Sequence, residues 1–294
     1  MLLTMRAEAF DDPNYIFSPK WDGWRIQIHK QGERIEAYTK NGRNVTAKFP
    51  ELEAVTRSIL AHEAILDCEG ICIRDGRSIF DDFQHRGQLS DKMKIVREAS
   101  AHPATFVVFD ILYDGEDLTG KPLWYRMERL AEIIDPSNVL LQTATVEVQG
   151  IALKKETEKR GWEGIVAKHR DSIYKPGTRS NQWAKIKNWQ QIDTVILGYR
   201  RTPQFGLIVG LNFPTVQNKP VAVVEFGFKP EEKRAFLSVA KQLHTREEKG
   251  IQWIEPRLCC RVQYLERTER HHLRIVSFKG FLFDKLPEEC KWVS

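Results

Sequence analysis

The chain has 294 residues, of which 41% are hydrophobic and 29% charged, as in a typical soluble globular protein with a buried core. No apolar run is long enough to span a bilayer, and the N-terminal segment lacks a secretory signal, so we expect a cytoplasmic protein without a membrane anchor. The length suggests two domains or one large one. The net charge of +5 only mildly favours polyanionic partners.

The cysteines are few and match no usual zinc-binding pattern, which predicts buried free thiols in a reducing compartment. The five positions are Cys68, Cys72, Cys259, Cys260 and Cys290.

The first two-thirds of the chain mixes strand and helix signals. Residues 24–30 and 34–40 alternate apolar and polar side chains around a short loop that contains Gly32, which predicts a hairpin. Helical spacing is found at 49–60, 121–134 and 151–161, and strands are predicted at 64–73, 105–113, 163–169 and 183–189.

The character of the sequence changes near residue 190. Short β-rich stretches follow, interrupted by one predicted helix at about 230–243. Several short strands within about 100 residues suggest a small barrel. We therefore expect one domain over 1–189 and a second over 190–294.

The most distinctive motif is Lys20-Trp21-Asp22-Gly23-Trp24-Arg25. Alone it is only moderately specific, since a charged loop between two strands explains it as well. Four further segments follow in order: Asp67-Cys68-Glu69-Gly70, Phe109-Asp110-Ile111-Leu112-Tyr113, Glu163-Gly164-Ile165-Val166-Ala167-Lys168 and Trp183-Ala184-Lys185-Ile186-Lys187.

In this order, the five segments resemble the motifs of the covalent nucleotidyltransferases, which comprise ATP-dependent DNA ligases, RNA ligases and messenger-RNA capping enzymes. The resemblance runs from about residue 15 to the C-terminus. It implies an α+β fold in which an ATP-grasp-like adenylation (nucleotidyltransferase) domain, with antiparallel sheets and flanking helices, precedes an OB-fold β-barrel.

The chemistry of this superfamily explains the lysine. Its amine attacks the α-phosphorus of a nucleotide and expels pyrophosphate, and only a deprotonated amine can do so. An ordinary lysine has a pKa near 10.4, so we expect Arg25 and a bound metal ion to lower the pKa of Lys20. Arginine could not replace the nucleophile because its guanidinium stays protonated. Arg25 is expected to grip phosphate instead.

The two glutamates lie in apolar segments, where a carboxylate is costly unless it is paired or binds metal. The resemblance implies that Glu69 meets the ribose hydroxyl and that Glu69 and Glu163 support Mg²⁺, with Mn²⁺ as an alternative ion. Two satisfied structural glutamates remain the alternative. Phe109 is expected to stack on the adenine face, which is compatible with membership of the core.

Basic residues complete the implied ATP site. Lys185 and Lys187 alternate along a strand, so both face one side, which suits a triphosphate, although a solvated strand face is the alternative. Arg179 matches a family position close to the phosphates. Ser18 and Lys40 belong to the same nucleotide-binding set. The family usually has arginine at Lys40, and lysine keeps the charge but loses the bidentate fork.

The C-terminal segment 278–292 resembles the last ligase motif, in the form found in small bacterial and phage enzymes and in the ligase module of bacterial end-joining enzymes. Asp284 and Lys285 are retained. Leu282 stands where an arginine is expected, and Arg274 or Lys279 could substitute for it.

The resemblance therefore predicts a bacterial or phage-encoded, monomeric ligase that uses ATP to seal nicked duplex DNA through a lysyl-AMP intermediate. DNA-end-binding or repair proteins would act in trans. Basic side chains expected to follow backbone phosphates are Lys30, Arg43, Lys48, Arg200 and Arg201. The alternatives are an RNA ligase, a GTP-dependent capping-type enzyme and an inactive DNA-binding scaffold.

Overall fold

The computed structural model describes residues 1–292, and the chain divides into two compact units, Met1–Asn188 and a second that begins at Trp189. Each unit has its own hydrophobic core. Mostly antiparallel sheets with flanking helices confirm the predicted α+β class. None of the helices within residues 1–292 is both long and apolar enough to cross a membrane.

The first unit contains eleven strands and five α-helices. The strands are β1 Leu2–Met5, β2 Asp12–Pro19, β3 Trp24–Gln31, β4 Arg34–Thr39, β5 Glu63–Arg74, β6 Arg77–Ser78, β7 Ala104–Tyr113, β8 Leu140–Gln142, β9 Val146–Val148, β10 Gly164–His169 and β11 Arg179–Lys187. The helices are α1 Leu52–Ser58, α2 Phe80–Gln88, α3 Lys92–Ala101, α4 Leu123–Ile133 and α5 Gly150–Lys159, with a 3-10 turn at Thr46–Lys48.

The larger sheet of this unit has the order β4-β3-β5-β7-β8, with β6 paired to β5. Side chains alternate across it, so Ile26 and Cys68 enter the main core on one face. Arg25 and Glu69 are direct partners in the β3–β5 register and point to the other face. One face of the sheet therefore stabilises the fold, and the other presents polar groups.

The second sheet has the order β1-β11-β10-β2-β9. Its register sets Val166 opposite Ser18 on one side and Gly164 opposite Lys187 on the other. The C-terminal ends of β2 and β11 therefore meet the N-terminal end of β10.

The predicted hairpin, strands and helices of this unit are confirmed with bounds that differ by a few residues. Helices α2 and α3 were not predicted. In α2 the buried residues include Arg86 and Gly87, and in α3 Ile95 is the one buried residue, so neither has an apolar stripe. Arg86 can be buried because its guanidinium donates to both oxygens of Glu51, at 2.8 and 3.0 Å.

Over residues 189–292 the second unit contains nine strands and one α-helix. The strands are β12 Gln190–Arg200, β13 Gly206–Leu211, β14 Lys219–Val224, β15 His244–Glu248, β16 Ile251–Ile254, β17 Cys259–Tyr264, β18 Glu266–Arg267, β19 Leu273–Arg274 and β20 Ser277–Leu282. The α-helix is α6 Pro230–Ala240, and 3-10 turns lie at Lys241–Leu243 and Pro287–Glu289.

The main sheet of this unit has the order β14-β13-β12-β16-β15, and β17 joins β12 to β20. The predicted barrel is not closed in residues 1–292, since β14 and β20 share no ladder there. After β14 the chain continues into α6 instead of pairing with β20. An isolated bridge between Phe226, just after β14, and Ser277, the first residue of β20, is the contact there.

Leu282 lies on β20 opposite Cys259 and packs against the core of the second unit. A leucine at this position therefore extends the apolar surface. Two residues were suggested as substitutes for the missing arginine. Arg274 is paired with Glu266, and Lys279 is exposed on β20, the strand that also carries Leu282.

All five cysteines are free and buried, as predicted. The sulfur atoms of Cys259 and Cys290 lie 3.6 Å apart within the second unit.

Candidate active site

Lys20 lies where strands β2 and β10 meet. It follows Pro19 directly, and its backbone N–H donates to the carbonyl of Gly164 at 2.8 Å. That contact brings its side chain to the neighbouring Glu163, where Nζ lies 2.6 Å from Oε2. Lys187 reaches the other carboxylate oxygen at 2.9 Å. One buried carboxylate therefore holds two lysines.

Two glycines allow the strands to approach this closely. Gly164 has a φ of +146°, and a Cβ there would lie 2.1 Å from the carbonyl oxygen of Ile186. A Cβ on Gly23 would lie 2.1 Å from the carbonyl oxygen of Gly70, next to Glu69. Any larger residue at either position would push Lys20 or Glu69 out of place.

A partly open cavity lies beside Lys20, with about 520 Å³ of space that includes its opening to solvent. Five of the predicted residues from three separate parts of the chain line it together: Ser18, Lys20, Arg25, Glu69 and Phe109. Residues of its wall outside the predicted set include Leu3, Trp21, Thr143, Val166, Lys168 and Trp183.

The guanidinium of Arg25 is bound to a buried carboxylate. It donates to both oxygens of Asp67, at 2.9 and 2.6 Å, and to the hydroxyl of Tyr174 at 2.9 Å. Its central carbon lies 5.5 Å from the centre of the Phe109 ring. Arg25 therefore lines the cavity, but most of its donors are committed within the protein.

The expectation that neighbours lower the pKa of Lys20 is wrong for the ligand-free protein. Burial does lower it, but the charge and hydrogen bond of Glu163, with help from Glu69, outweigh burial and raise the pKa of Lys20. Lys20 is therefore an ammonium ion at neutral pH. Any nucleotide chemistry on its amine requires removal of a proton.

Glu69 is the carboxyl group most affected by this environment. Burial raises the pKa of Glu69 to about 8, Lys20 opposes that shift, and Glu163 adds to it. Two mutually repelling carboxyls suit a hard divalent cation. Within residues 1–292, however, no group of three or more His, Cys, Asp or Glu side chains is arranged to hold a metal ion.

This carboxyl group should make stability fall with rising pH. The folded-state pKa of Glu69 is about 8, against 4.5 for the unperturbed group, so the folded state holds this proton more tightly. The stabilisation is complete below pH 4.5 and disappears as the pH approaches 8. Relative to wild type, we expect Glu69→Gln to raise the free energy of unfolding by about 3–4 kcal/mol more at pH 8.5 than at pH 5. Urea denaturation of the wild type and the variant at the two pH values tests this. The same difference in free energy of unfolding between the two proteins at both pH values would contradict it.

The remaining predicted site residues lie at different distances from the cavity. Lys185 neighbours the Lys20–Glu163 pair, and burial, Lys187 and Lys20 lower the pKa of Lys185. Arg179 is exposed at the start of β11 and donates to the carbonyl of Leu3, a cavity residue, at 2.5 Å. Lys40 is exposed beyond the end of β4 and is not part of the cavity wall.

Sequence reasoning gave no role to four polar or aromatic wall residues, which are Trp21, Thr143, Lys168 and Trp183. Lys168 donates to the carbonyl of Phe109 at 2.7 Å and lies 4.1 Å from the centre of the Trp183 ring. Burial lowers the pKa of Lys168 to about 8. The alternation along β11 could have revealed Trp183, which shares a face with Lys185. Thr143 follows a three-residue strand and has no sequence signal.

Several side chains expected to follow DNA phosphates are bound within the chain. Lys30 donates to the carbonyl of Ile59 and Lys48 to that of Leu89. Arg200 pairs with Glu225. Arg43 and Arg201 are exposed.

Comparison with known proteins identifies the family of the chain. The family model described as the ATP dependent DNA ligase domain matches residues 4–187. The SPbeta prophage-derived DNA ligase-like protein LigB of Bacillus subtilis is 31% identical over 283 residues, which cover 96% of this chain and 97% of that protein. The multifunctional non-homologous end joining protein LigD of Mycolicibacterium smegmatis is 29% identical and covers 99% of this chain.

A solved structure of mycobacterial DNA ligase D complexed with ATP and MES matches with a TM-score of 0.58 and 29% identity, covering 98% of this chain and 96% of that chain. The chain spans 39% of the length of the LigD relative and 54% of that of a DNA ligase from Thermococcus fumicolans. The match over most of the first unit, together with a relative of similar length, establishes the family. The chain belongs to the ATP-dependent DNA ligases.

Proposed function

We propose that the chain is an ATP-dependent DNA ligase that seals nicks between a 5′-phosphate and a 3′-hydroxyl in duplex DNA. The observation that carries this is the position of Lys20, whose amine borders a cavity lined by Glu69 and Phe109. ATP would transfer AMP to Lys20 with release of pyrophosphate. The AMP would then pass to the 5′-phosphate, and the 3′-hydroxyl would displace it and form the phosphodiester bond.

The first step requires that Lys20 lose its proton. Oε2 of Glu163 lies 2.6 Å from Nζ and is well placed to accept it. Once Lys20 carries AMP its nitrogen is no longer an ammonium, so the ion pair with Glu163 ends. After Glu163 passes this proton to water, its carboxylate keeps Lys187 as its cationic partner, at 2.9 Å.

Other residues of the first unit suit the nucleotide. The ring of Phe109 would stack on adenine, and Lys185, Lys187 and Arg179 would offset phosphate charge. Ser18 and Arg25 lie in the cavity wall, where they would position the sugar and α-phosphate. Lys40, outside the cavity, suits a phosphate of the nicked strand.

The carboxylates fit Mg²⁺, and Mn²⁺ by the same oxygen chemistry. Glu69 and Glu163 would hold the ion, which would neutralise charge on the phosphates.

The two units correspond to this function if residues 1–189 form the adenylation domain and 190–294 the OB-fold domain. We propose that the protein acts as a cytoplasmic monomer on nicked duplex DNA. The LigD relative, described as a non-homologous end joining protein, supports a role in repair with DNA-end-binding proteins in trans.

Labelling identifies the nucleotide and the strand. The protein is incubated with α-labelled ATP or GTP and Mg²⁺ and separated on a denaturing gel. We expect label from ATP alone, followed by its loss when nicked DNA is added. Label from GTP alone would favour a capping-type enzyme. Transfer of the label to nicked RNA but not to nicked DNA would favour an RNA ligase. The absence of label from either nucleotide would favour an inactive scaffold.

Binding to nicked DNA should weaken strongly with added salt. If about five phosphates are neutralised, the logarithm of the binding constant falls with a slope of about −4.5 against the logarithm of salt concentration. Between 50 and 200 mM salt this is a loss of about two to three orders of magnitude. Fluorescence anisotropy with a labelled nick measures the slope, and self-adenylylation at each salt concentration is the control. A slope near zero would contradict the proposed DNA contacts.

A further inference from the structure

One buried hydroxyl group in the cavity has no partner within the described chain. Thr143 is 5% exposed, and its Oγ1 lacks a hydrogen-bond partner within residues 1–292. Its backbone N–H is already used, since it donates to the carbonyl of Val108 at 2.8 Å. The side chain nonetheless belongs to the cavity wall. A buried hydroxyl without a partner is unfavourable in the ligand-free protein.

The position of Thr143 relates it to the base rather than to the phosphates. Strand β8 runs parallel to β7, and Gln142 is the register partner of Val108. Thr143 therefore follows β8 beside the part of β7 that carries Phe109. A base stacked on Phe109 would direct its polar edge sideways, toward neighbouring strands.

The other polar groups near this ring, on Arg25 and Lys168, are already engaged. The ammonium of Lys168 donates to the carbonyl of Phe109 at 2.7 Å and lies 4.5 Å from the centre of its ring. It can only donate, whereas a threonine hydroxyl both donates and accepts. The exocyclic amine of adenine is a donor, and the ring nitrogens are acceptors.

We propose that the Thr143 hydroxyl hydrogen-bonds to the polar edge of the adenine base and contributes to the recognition of ATP. This rests on the proposed function. It makes Thr143 a specificity residue whose hydroxyl is satisfied only when nucleotide is bound.

The test uses an isosteric change. Thr143→Val removes the hydroxyl and keeps the shape, so we expect the KM for ATP in self-adenylylation to rise about tenfold. The Tm of the ligand-free protein should stay unchanged or rise, because an unsatisfied buried group is removed. Thr143→Ser keeps the hydroxyl and should restore most of the affinity lost in the valine variant.

A matched control separates this role from a structural one. Thr105 is also a buried threonine of the first unit, but its hydroxyl donates to the carbonyl of Asn138 at 3.0 Å. We expect Thr105→Val to lower the Tm by about 2–4 °C and to leave the KM for ATP unchanged. If Thr143→Val behaves in the same way, the proposal is overturned.

A nucleotide analogue locates the contact. Purine riboside triphosphate lacks the 6-amino group. If the valine variant weakens ATP but not this analogue, the hydroxyl accepts from the amine; if it weakens both, the hydroxyl donates to a ring nitrogen. Both results support the proposal, and an effect on neither rejects it.

Binding is also followed by the increase in Tm that each nucleotide produces. If the wild-type protein binds ATP but is never labelled, the proposed ligase activity is refuted. The effect of Thr143→Val on the ATP-induced increase in Tm would still test the proposed contact with adenine.

Discussion

Lys20→Arg should abolish self-adenylylation, with a loss of at least about a thousandfold in labelling from α-labelled ATP. Arginine preserves a cation beside Glu163, so the charge balance of the site is retained. Its guanidinium cannot be deprotonated in a protein, and therefore cannot attack phosphorus. The measurement is the amount of label on the protein after a denaturing gel, as a function of time.

Two comparisons make this result specific. Nicked DNA that already carries AMP on its 5′-phosphate bypasses Lys20, so the Lys20→Arg protein should still seal it. Lys168 is the competing nucleophile, because burial lowers its pKa to about 8 and it lines the same cavity. We expect Lys168→Met to weaken labelling without eliminating it. Label that survives Lys20→Arg and disappears in Lys168→Met would reverse the assignment.

Asp110→Asn should destabilise the protein by about 3–5 kcal/mol. Asp110 and Arg126 are both fully buried, and the guanidinium donates to the two carboxylate oxygens at 2.7 and 2.8 Å. Arg126 also donates to the carbonyls of Lys121 and Ser172. In the variant, the NH2 group of the asparagine amide would face an N–H group of the Arg126 guanidinium. The positive charge of Arg126 would also lose its buried counter-charge. For a protein of this size, Tm should fall by roughly 6–20 °C.

The control for this pair is an exposed one. Glu156 lies on helix α5 and Arg160 directly follows that helix, four positions further along the chain. Arg160 Nε lies 2.6 Å from Glu156 Oε1, and both side chains are about half exposed to solvent. We expect Glu156→Ala to cost less than about 0.5 kcal/mol. Differential scanning fluorimetry compares the two variants directly. A decrease in Tm of less than 2 °C for Asp110→Asn would mean that the buried ion pair of Asp110 and Arg126 contributes little to stability.

The elements with strong periodicity were predictable from sequence, whereas α2 and α3 were not. The hairpin β3–β4 and the strand β5 alternate regularly because one face packs into the core. Arg86, by contrast, is a buried residue of α2, although an arginine is normally expected at the surface. It is buried because it is paired with Glu51. Tertiary ion pairing makes such a residue compatible with burial, and no local pattern records it.

The site shows the same division. Sequence motifs identified Lys20, Glu69 and Phe109, which the fold brings to one cavity. They did not indicate that Arg25 is held by Asp67, or that Glu163 raises the pKa of Lys20 instead of a cation lowering it. Those effects depend on distances between strands that are far apart in the chain.

The sequence by itself determined the family, the α+β class and the lysine at the centre of the proposed chemistry. These follow from residue types in a fixed order and from side-chain alternation, both of which are local. Only the tertiary structure decided the charge state of Lys20, the commitment of Arg25 and the presence of Thr143 in the cavity. Burial and the distance between charged groups control these properties, and both arise only when β2, β8 and β10 are assembled with β3, β5 and β7.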